Sequence, residues 1–486
     1  MTDLMLVVII QQAVIWSHLL LVVGFTVRVI MRRLPVGASL AWLLVLTLLP
    51  YVGVGLYLLF GERFLGVARK QRARRLRERY GLDQAREFPH DPDFWVGCHP
   101  TSAFLSELEF QSSGIPAIGG NRLHFLESAD KTIDSMIRDI RAARQTCHLE
   151  FYIWEPGGRP EAVADALVEA AERGVQCRIM LDAVGSAAFF SSSLVKRLRH
   201  PLIEIVKACP IGIMPWRLAR YDLRNHRKML VVDNHVAYMG SFNLIDPEFF
   251  KRNAGVGAWV DVMARIEGPV VAVFDAVFRW YWNIETDQEL PLFLLDKPLP
   301  TCDSQAIVQV APSGPDAATE SILFTLLQAI YAAEKSVDIV TPYFVPGEAL
   351  ELALKIAARR GVSVRLIVPE KVDSFLVRHA SRSYFNGLLR AGVDIYKYEN
   401  DLLHSKCVVI DETLAFFGTV NLDLRSLWLN FEMTLIVYDP ATVKELAHIL
   451  AAYRRQAWAL DMDEWRQRSY LSRFFENITH LLSPLI

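Results

Sequence analysis

Two long uncharged stretches dominate the hydropathy pattern at the start of the chain. One lies between Asp3 and Arg28, and the other lies between Arg33 and Glu62. Each exceeds the roughly 20 residues that a helix needs to cross the bilayer core. The pattern predicts two N-terminal transmembrane helices, at about 4–27 and 36–60. Four polar side chains weaken the first stretch and leave a re-entrant or interfacial path open for it: Gln11, Gln12, Ser17 and His18.

Beyond a basic juxtamembrane segment and linker at 63–118, short apolar runs alternate with amphipathic helical stretches, and this pattern occurs twice. The predicted strands are Leu149–Trp154 and Val175–Leu181 in the first half, and Val337–Phe344 and Val362–Val368 in the second. The alternation favours an α/β fold with a largely parallel or mixed sheet, and the long period indicates a duplicated domain rather than a solenoid. The predicted domains span 119–300 and 301–486.

Charge is unevenly distributed. The 52 Lys+Arg and 54 Asp+Glu leave a net charge of −2, yet residues 1–80 hold 11 basic and 3 acidic side chains, so the rest of the chain is acidic. Eight of these basic residues follow the second apolar stretch and three precede it, which predicts that the body and both termini face the cytoplasm. The basic run is either a solvated helix or a contact for anionic headgroups. Six scattered cysteines without a CxxC pair favour a reducing compartment.

The same spaced triple occurs in each half of the body. His226-Arg227-Lys228 is followed by Asp233 in the first half, and His404-Ser405-Lys406 is followed by Asp411 in the second. Each aspartate precedes a matching glycine motif at the same spacing: Gly240-Ser241-Phe242-Asn243 and Gly418-Thr419-Val420-Asn421. On a strand, positions i and i+2 share a face, so each histidine projects beside its lysine. An imidazole beside an ammonium group is suited to binding phosphate, and the repetition makes chance unlikely as its origin.

These motifs resemble those of the phospholipase D superfamily, in which two HKD motifs meet at a pseudo-twofold interface and form one active site. The resemblance covers roughly 120–440 and implies two phospholipase D-like α/β/α domains. Within the superfamily the chain resembles the bacterial cardiolipin synthases of the inner membrane. The residues that suggest this are Asn225 to Lys228, Asp246-Pro247, Gly255-Val256-Gly257, Leu403 to Lys406 and Gly418 to Ser426. The resemblance implies transfer between two phosphatidylglycerol molecules, which gives cardiolipin and glycerol.

The residue types fit a two-step phosphodiester exchange. One imidazole, taken as His226 from the resemblance, attacks phosphorus to give a phosphohistidine, and the other serves as general acid and then general base. The predicted phosphate ligands are Lys228, Lys406, Asn243, Asn421, Ser241 and Thr419. Because Asp233 and Asp411 lie an odd number of residues from their lysines, we expect them to orient and charge-balance the histidines.

No metal or other cofactor is predicted, because the chain has no H-x-x-x-H motif, carboxylate cluster or phosphate-binding glycine loop. His90, His99, His124 and His148 are expected to be ordinary core or surface residues. The expected partners are phosphatidylglycerol and membrane lipids, and homo-oligomerisation stays open. The acidic body argues against nucleic acid, and the paired motifs argue against a noncatalytic scaffold.

The sequence leaves two questions open, the reaction and the path of the C-terminal tail. A membrane-bound phospholipase D that hydrolyses phospholipid to phosphatidic acid would need the same motifs. The C-terminal tail from Trp465 to Ile486 carries apolar residues at helical spacing, and it either packs on the core or lies on the bilayer as an amphipathic tail.

Overall fold

A computed structural model of the chain describes residues 2–34, 36–61, 67–80, 92–210, 222–251, 254–291, 304–315, 321–399 and 401–481. They belong to two compact units, one of 1–67 with 211–223 and one of 68–210 with 224–486. We call the second unit the body.

The helices are α1 (Thr2–Met31), α2 (Val36–Leu48), α3 (Pro50–Leu56), α4 (Val67–Tyr80), α5 (Ser102–Ser113), α6 (Ala129–Ala142), α7 (Glu161–Glu172), α8 (Ala187–Ser191), α9 (Leu194–Arg197), α10 (Val271–Thr286), α11 (Ser321–Ala332), α12 (Gly347–Arg359), α13 (Phe375–Ala391), α14 (Leu424–Trp428), α15 (Pro440–Arg455), α16 (Met462–Arg466) and α17 (Tyr470–Leu481). A π-helical turn, Tyr57–Gly61, continues α3, and a 3-10 turn lies at Pro92–Trp95.

The strands are β1 (Ile118–Leu126), β2 (Thr146–Phe151), β3 (Gln176–Asp182), β4 (Ile203–Ala208), β5 (Lys228–Val232), β6 (Val236–Gly240), β7 (Trp259–Val260), β8 (Met263–Glu267), β9 (Ala306–Ser313), β10 (Ser336–Val340), β11 (Phe344–Val345), β12 (Ser363–Pro369), β13 (Asp394–Tyr398), β14 (Leu402–Leu403), β15 (Cys407–Ile410), β16 (Leu414–Gly418), β17 (Leu422–Asp423), β18 (Glu432–Val437) and β19 (Ala457–Ala459).

The first unit contains one helix long enough to cross a membrane, not two. Among the described residues only Met5–Met31 combines sufficient length with sufficient hydropathy. The expectation of a second span is wrong because the second apolar stretch breaks at Leu49, ahead of Pro50, into two short helices. Proline lacks the N–H that an uninterrupted helix would need.

The two short helices form a hairpin. The Trp42 and Tyr57 ring centroids are 5.2 Å apart. One continuous helix would instead separate these two positions by about 22 Å along its axis. A Cβ at Gly53 would lie 2.9 Å from the Val45 carbonyl oxygen, so the missing side chain lets the arms approach. The second apolar stretch therefore turns back on itself.

The body confirms the predicted duplication and mixed α/β fold. The first half orders its strands β1-β8-β6-β5-β2-β3-β4, and the second repeats this as β9-β18-β16-β15-β10-β12-β13, with β19 added at the edge. Antiparallel pairing of β1 with β9 joins the halves into one sheet. Each half has its own core, in which helices cover the sheet. The predicted boundary near residue 300 lies outside the described residues.

Part of the basic run is fastened to the body. The Arg69 guanidinium pairs with the Glu285 carboxylate, and Arg72 donates to the Ile284 carbonyl oxygen at 3.0 Å. These contacts fix α4 against the C-terminal end of α10. At least two of the basic side chains are therefore used in packing.

Candidate active site

Each HKD histidine lies immediately before a buried strand that begins at or beside its lysine. Lys228 is the first residue of β5, and Lys406 directly precedes β15. The ammonium group of Lys228 donates to the His226 carbonyl oxygen at 2.6 Å, and that of Lys406 donates to the His404 carbonyl oxygen. All four side chains are buried. Anchoring by the apolar strands therefore fixes each imidazole and ammonium group near its partner.

Each histidine is held by a carboxylate from the opposite half. The His226 Nδ1 atom lies 2.8 Å from a Glu432 oxygen, and the His404 Nδ1 atom lies 2.7 Å from Asp261 Oδ1. The backbone repeats this exchange: the His226 amide donates to the Phe431 carbonyl, and the His404 amide donates to the Val260 carbonyl. These crossed contacts bring both motifs to one interface between the halves.

Sequence reasoning missed both carboxylates, although aligning the repeats offered a signal. Glu432 begins β18, and Asp261 lies just before β8, the matching strand of the first half. Each acid follows the G-[ST]-x-N motif of its own half, Asp261 after Asn243 and Glu432 after Asn421. The sequence gives no direct sign that each would pair with the histidine of the other half.

The glycine and hydroxyl positions of G-[ST]-x-N support these acids. A Cβ at Gly240 would overlap the Val262 carbonyl oxygen, and one at Gly418 would overlap that of Met433. The Thr419 hydroxyl donates to Glu432 Oε2 at 2.6 Å, and the Ser241 hydroxyl donates to the Val262 carbonyl oxygen at 3.3 Å, one residue after Asp261. Ser241 and Thr419 were expected to bind phosphate; in the structure their hydroxyls donate to the acid-bearing strands, and a role as phosphate ligands stays a prediction.

The asparagines of the same motif keep unused polar atoms. Asn243 Oδ1 accepts from the Ile153 amide at 3.2 Å, while its buried Nδ2 has no hydrogen-bond partner among the described residues. The buried Oδ1 of Asn421 likewise has none in that part of the chain. Unpaired buried amide atoms are costly, so their presence suits a site that binds a polar ligand.

Neither Asp233 nor Asp411 hydrogen-bonds the histidine of its own HKD motif, which corrects the expected role. Each begins the tight turn after its strand, with φ of 52° and 53° respectively. Asp233 accepts from the backbone amides of Arg144, Gln145 and Thr146, and Asp411 does so from the matching amides of residues 334–336. The stretch from Lys228 to Asp233 spans about 16 Å of strand. These aspartates therefore fasten the hairpin tip to the start of β2 or β10.

Burial sets the charge state of the site. Desolvation lowers the pKa of His226 and of His404 to about 4, against the opposing pull of the paired carboxylates. Burial alone would raise the pKa of Glu432 and Asp261, but the adjacent histidines and lysines overcome it and keep both below their usual values. Desolvation also lowers the pKa of Lys228 to about 8 and that of Lys406 well below its usual value. At neutral pH the site thus holds neutral imidazoles beside carboxylates.

This charge state defines what each imidazole can do. Because the carboxylates are ionised, Nδ1 carries the proton and donates it, which leaves the Nε2 lone pair for attack or proton abstraction. The walls beside the histidines are aromatic: the Tyr152 ring lies 5.0 Å from that of His226, and the Trp259 ring lies 4.3 Å from that of His404. The arrangement can bind a phosphodiester between two imidazoles in surroundings that restrict water.

Two of the other histidines have packing roles. His148 Nδ1 donates to Asp275 Oδ1 at 2.6 Å and its ring stacks on Phe278, and His99 lies 3.3 Å from Asp411. His124 is exposed on β1, and His90 lies outside the described residues. No group of three or more metal-ligating side chains occurs within the part of the chain that the structure describes.

Comparison with known proteins gives consistent similarities. A family model described as "Cardiolipin synthase, PLD-like domain" matches 136–282 and 326–454, and one described as "Phospholipase_D-nuclease N-terminal" matches 20–62. The chain is 42% identical over 476 residues to cardiolipin synthase A of Erwinia tasmaniensis. The alignment covers 97% of this chain and 98% of that protein. Cardiolipin synthase A of Yersinia pseudotuberculosis is 41% identical over the same share of each chain.

A solved structure supports the fold. The crystal structure of phosphatidylserine synthase from Haemophilus influenzae aligns with a TM-score of 0.57 over 78% of this chain and 99% of that one, at 15% sequence identity.

Proposed function

Because this chain belongs to the family of phospholipase D-like cardiolipin synthases, we propose that it transfers a phosphatidyl group from one phosphatidylglycerol to a second, forming cardiolipin and releasing glycerol. The observation that carries the proposal is the crossed pairing of His226 with Glu432 and of His404 with Asp261. It supports a single site with two imidazoles, as a two-step exchange requires. Since all four residues come from one chain, a single copy is sufficient.

In the proposed first step, His226 is the nucleophile. Its Nε2 lone pair attacks phosphorus, the N–P bond forms, and the bond from phosphorus to the glycerol oxygen breaks. His404 must then donate a proton to that oxygen, although its pKa in the empty site is about 4. A bound phosphodiester anion favours the imidazolium form, so substrate binding supplies the needed rise in pKa.

In the second step the N–P bond breaks and a new P–O bond forms. The now neutral His404 takes a proton from a hydroxyl of the second phosphatidylglycerol, whose oxygen attacks phosphorus as the N–P bond breaks. Lys228 and Lys406, with the side-chain N–H groups of Asn243 and Asn421, would stabilise charge on the nonbridging oxygens in both steps. These groups supply the positive charge from side chains, so the proposed chemistry needs no metal ion.

Product analysis tests this proposal directly. Purified enzyme and phosphatidylglycerol vesicles should give cardiolipin and free glycerol by mass spectrometry, with phosphatidic acid as a minor product and undiminished turnover in EDTA. Excess glycerol should reverse the reaction, because one phosphodiester replaces another at little net cost. Phosphatidic acid as the main product at every lipid density would contradict the proposal and indicate a hydrolase.

We further propose that the body lies on the cytoplasmic side of the bacterial inner membrane. If α1 crosses once and the α2–α3 hairpin returns, the arginines around residues 28–33 and those of α4 flank the same face. All eleven basic residues of 1–80 then agree with the positive-inside rule, whereas two crossings would separate them. Reporters fused at each terminus should place residue 486 inside and residue 1 outside, which revises the expectation from two spans that both termini face the cytoplasm. A shared side would contradict this topology.

A further inference from the structure

The C-terminal helix α17 buries polar side chains against the body and exposes apolar side chains. Glu476 and Thr479, on the side that packs against the body, are 2% and 4% exposed. The outward side carries large apolar side chains: Tyr470, Leu471, Phe474, Phe475, Ile478 and Leu481, which are between 37% and 88% exposed. A helix that packs on a soluble body normally does the opposite. We call these six side chains the α17 apolar face.

Polar contacts hold α17 in this orientation. The Glu476 carboxylate accepts from Arg382 of α13 at 2.8 Å and pairs with Arg468 at 3.2 Å. His480 contacts the same helix through the Ser383 hydroxyl at 3.2 Å and the Tyr384 ring at 5.0 Å. Rotating α17 to bury its apolar face would break this ion-pair network, so the exposure is built into the packing.

We propose that the α17 apolar face is a second membrane contact, which inserts into the headgroup region of an anionic bilayer. The inference goes beyond the proposed reaction but rests on its lipid substrate. Tyrosine and phenylalanine are suited to the boundary between headgroups and acyl chains. Glu476 is the only acid on α17 and is neutralised by arginines, while Arg473 on α17 and the exposed Arg378 on α13 are basic. The charge that α17 itself carries is therefore complementary to phosphatidylglycerol, while the exposed acids Asp463 and Glu464 belong to the preceding helix α16.

The size of the face argues for a bilayer rather than a second copy of the chain. Twelve helical residues extend for about 18 Å, and a helix is about 10 Å wide, so the footprint is on the order of 200 Å². A stable protein interface buries about 800 Å² on each partner. A bilayer has no such threshold, because each inserted side chain adds its own transfer free energy.

The face is continuous with the active site through α13. Residues 382–384 of α13 contact α17, and the exposed Phe375 and Leu376 lie two turns earlier on the same helix. Just before α13, Asp373 accepts from the Tyr343 hydroxyl at 2.7 Å and pairs with Lys251 at 3.0 Å. The Lys251 ammonium lies 5.7 Å from the Trp259 ring, which contacts His404. Insertion of α17 would therefore keep this side of the catalytic pocket near the lipid surface.

Hydrogen–deuterium exchange of the full chain, held as one copy per nanodisc, tests this contact independently of turnover. We expect the 470–481 peptide to exchange more slowly in phosphatidylglycerol discs than in phosphatidylcholine discs, although the N-terminal unit anchors the protein in both. Equal exchange in the two lipids and in detergent would overturn the proposal. Protection that requires two copies per disc would also overturn it, because a second chain would then cover the face.

A matched pair of variants adds a functional readout. Phe474→Glu should abolish the lipid-dependent protection and reduce cardiolipin formation from bilayer lipid by about tenfold or more, since an aromatic side chain that inserts into the bilayer is replaced by a charge. Phe104→Glu is the control, because Phe104 is 58% exposed and Phe474 59%, each on a twelve-residue helix.

The controls separate this proposal from the proposed function. Phe474→Glu should leave turnover of monomeric short-chain phosphatidylglycerol unchanged, and Phe104→Glu should change neither readout. Equal loss by Phe474→Glu on both substrates, or equal loss by both variants on bilayer lipid, would overturn the membrane contact. If the wild type forms no cardiolipin from either substrate, the proposed reaction fails, and the exchange measurement still decides the contact.

Discussion

At the residue scale, the unit of chemistry is an imidazole paired with a carboxylate from the opposite half of the chain. The carboxylate fixes the proton on Nδ1, and burial keeps the ring neutral until an anion enters. Glu432 and Asp261 are positioning residues in this account, since they act on phosphorus only through His226 and His404.

The assignment of His226 as nucleophile predicts an asymmetric trapping result. A phosphatidyl p-nitrophenol needs no general acid for its leaving group, so His404→Ala should still form the phosphohistidine but lack the base that discharges it. Peptide mass spectrometry of this variant should find the phosphatidyl group on His226, and His226→Ala should accumulate none. An adduct on His404 in the His226→Ala variant would reverse the assignment.

Replacement of a crossed acid should disturb the tautomer of the opposite histidine. Glu432→Gln offers an amide where a carboxylate held Nδ1–H, and a comparable change in a serine protease triad costs about 10⁴-fold in kcat. We expect a loss of at least about a hundredfold in kcat with little change in KM, and a shifted His226 nitrogen signal by NMR. Glu432→Asp should recover part of kcat. An unaltered His226 signal in Glu432→Gln would contradict the positioning role.

The low histidine pKa predicts that anion binding takes up a proton. In the empty site both imidazoles have a pKa of about 4, and a bound diester raises the pKa of one of them. At pH values between the pKa of the free imidazole and its raised pKa in the complex, affinity for dimethyl phosphate should rise by up to about tenfold per unit fall in pH. Lys228, with a pKa of about 8, stays charged from pH 7 to pH 5, whereas burial lowers the pKa of Lys406 well below its usual value. The trend should therefore persist in Lys406→Arg, whose guanidinium stays charged. Calorimetry that finds affinity independent of pH over this interval would contradict it.

At the element scale, the HKD motif is a strand that has the catalytic histidine and lysine at its start and, at its end, an aspartate that fastens the hairpin turn. The two-residue periodicity predicted the strand and the side-by-side histidine and lysine, because these are local properties of the chain. It could not predict that Glu432 and Asp261 reach across the interface, since that contact depends on how the halves pack. Asp233 was misjudged because the face on which a residue lies says nothing about its distance along the strand.

The structural role of Asp233 gives a prediction that separates it from catalysis. Asp233→Asn weakens the hydrogen bonds to three backbone amides and should lower the free energy of unfolding by about 1–2 kcal/mol, comparable to loss of a helix cap. Activity per folded molecule should be retained. Thermal unfolding and kcat measured on the same preparation check this, and a large loss of kcat with unchanged stability would restore a catalytic role.

Hydropathy likewise predicted the apolar N-terminal stretches but not the path of the second. A hydropathy window measures the length of an apolar stretch but not its path, so it could not predict the reversal of the chain at Leu49–Pro50. Pro50 and Gly53 were the available signals: one interrupts the helix, and the other permits close approach of the two arms.

At the scale of the whole molecule, duplication provides two imidazoles and two ammonium groups, and each half completes the site of the other. Membrane attachment supplies a high local concentration of phosphatidylglycerol as both donor and acceptor. Water remains the more abundant acceptor. The proposed transfer therefore depends on burial: His226 and His404 are only 7% and 2% exposed, and aromatic rings lie beside both.

The competition between lipid hydroxyl and water is tested most directly by running the reaction on phosphatidylglycerol in ¹⁸O-labelled water and analysing the phospholipid products by mass spectrometry. Transfer to a lipid hydroxyl breaks and forms P–O bonds without solvent oxygen. We therefore predict cardiolipin as the main product with no ¹⁸O in its phosphates, and only a minor amount of singly labelled phosphatidic acid. Labelled phosphatidic acid as the main product, or ¹⁸O in the phosphates of cardiolipin, would contradict the account.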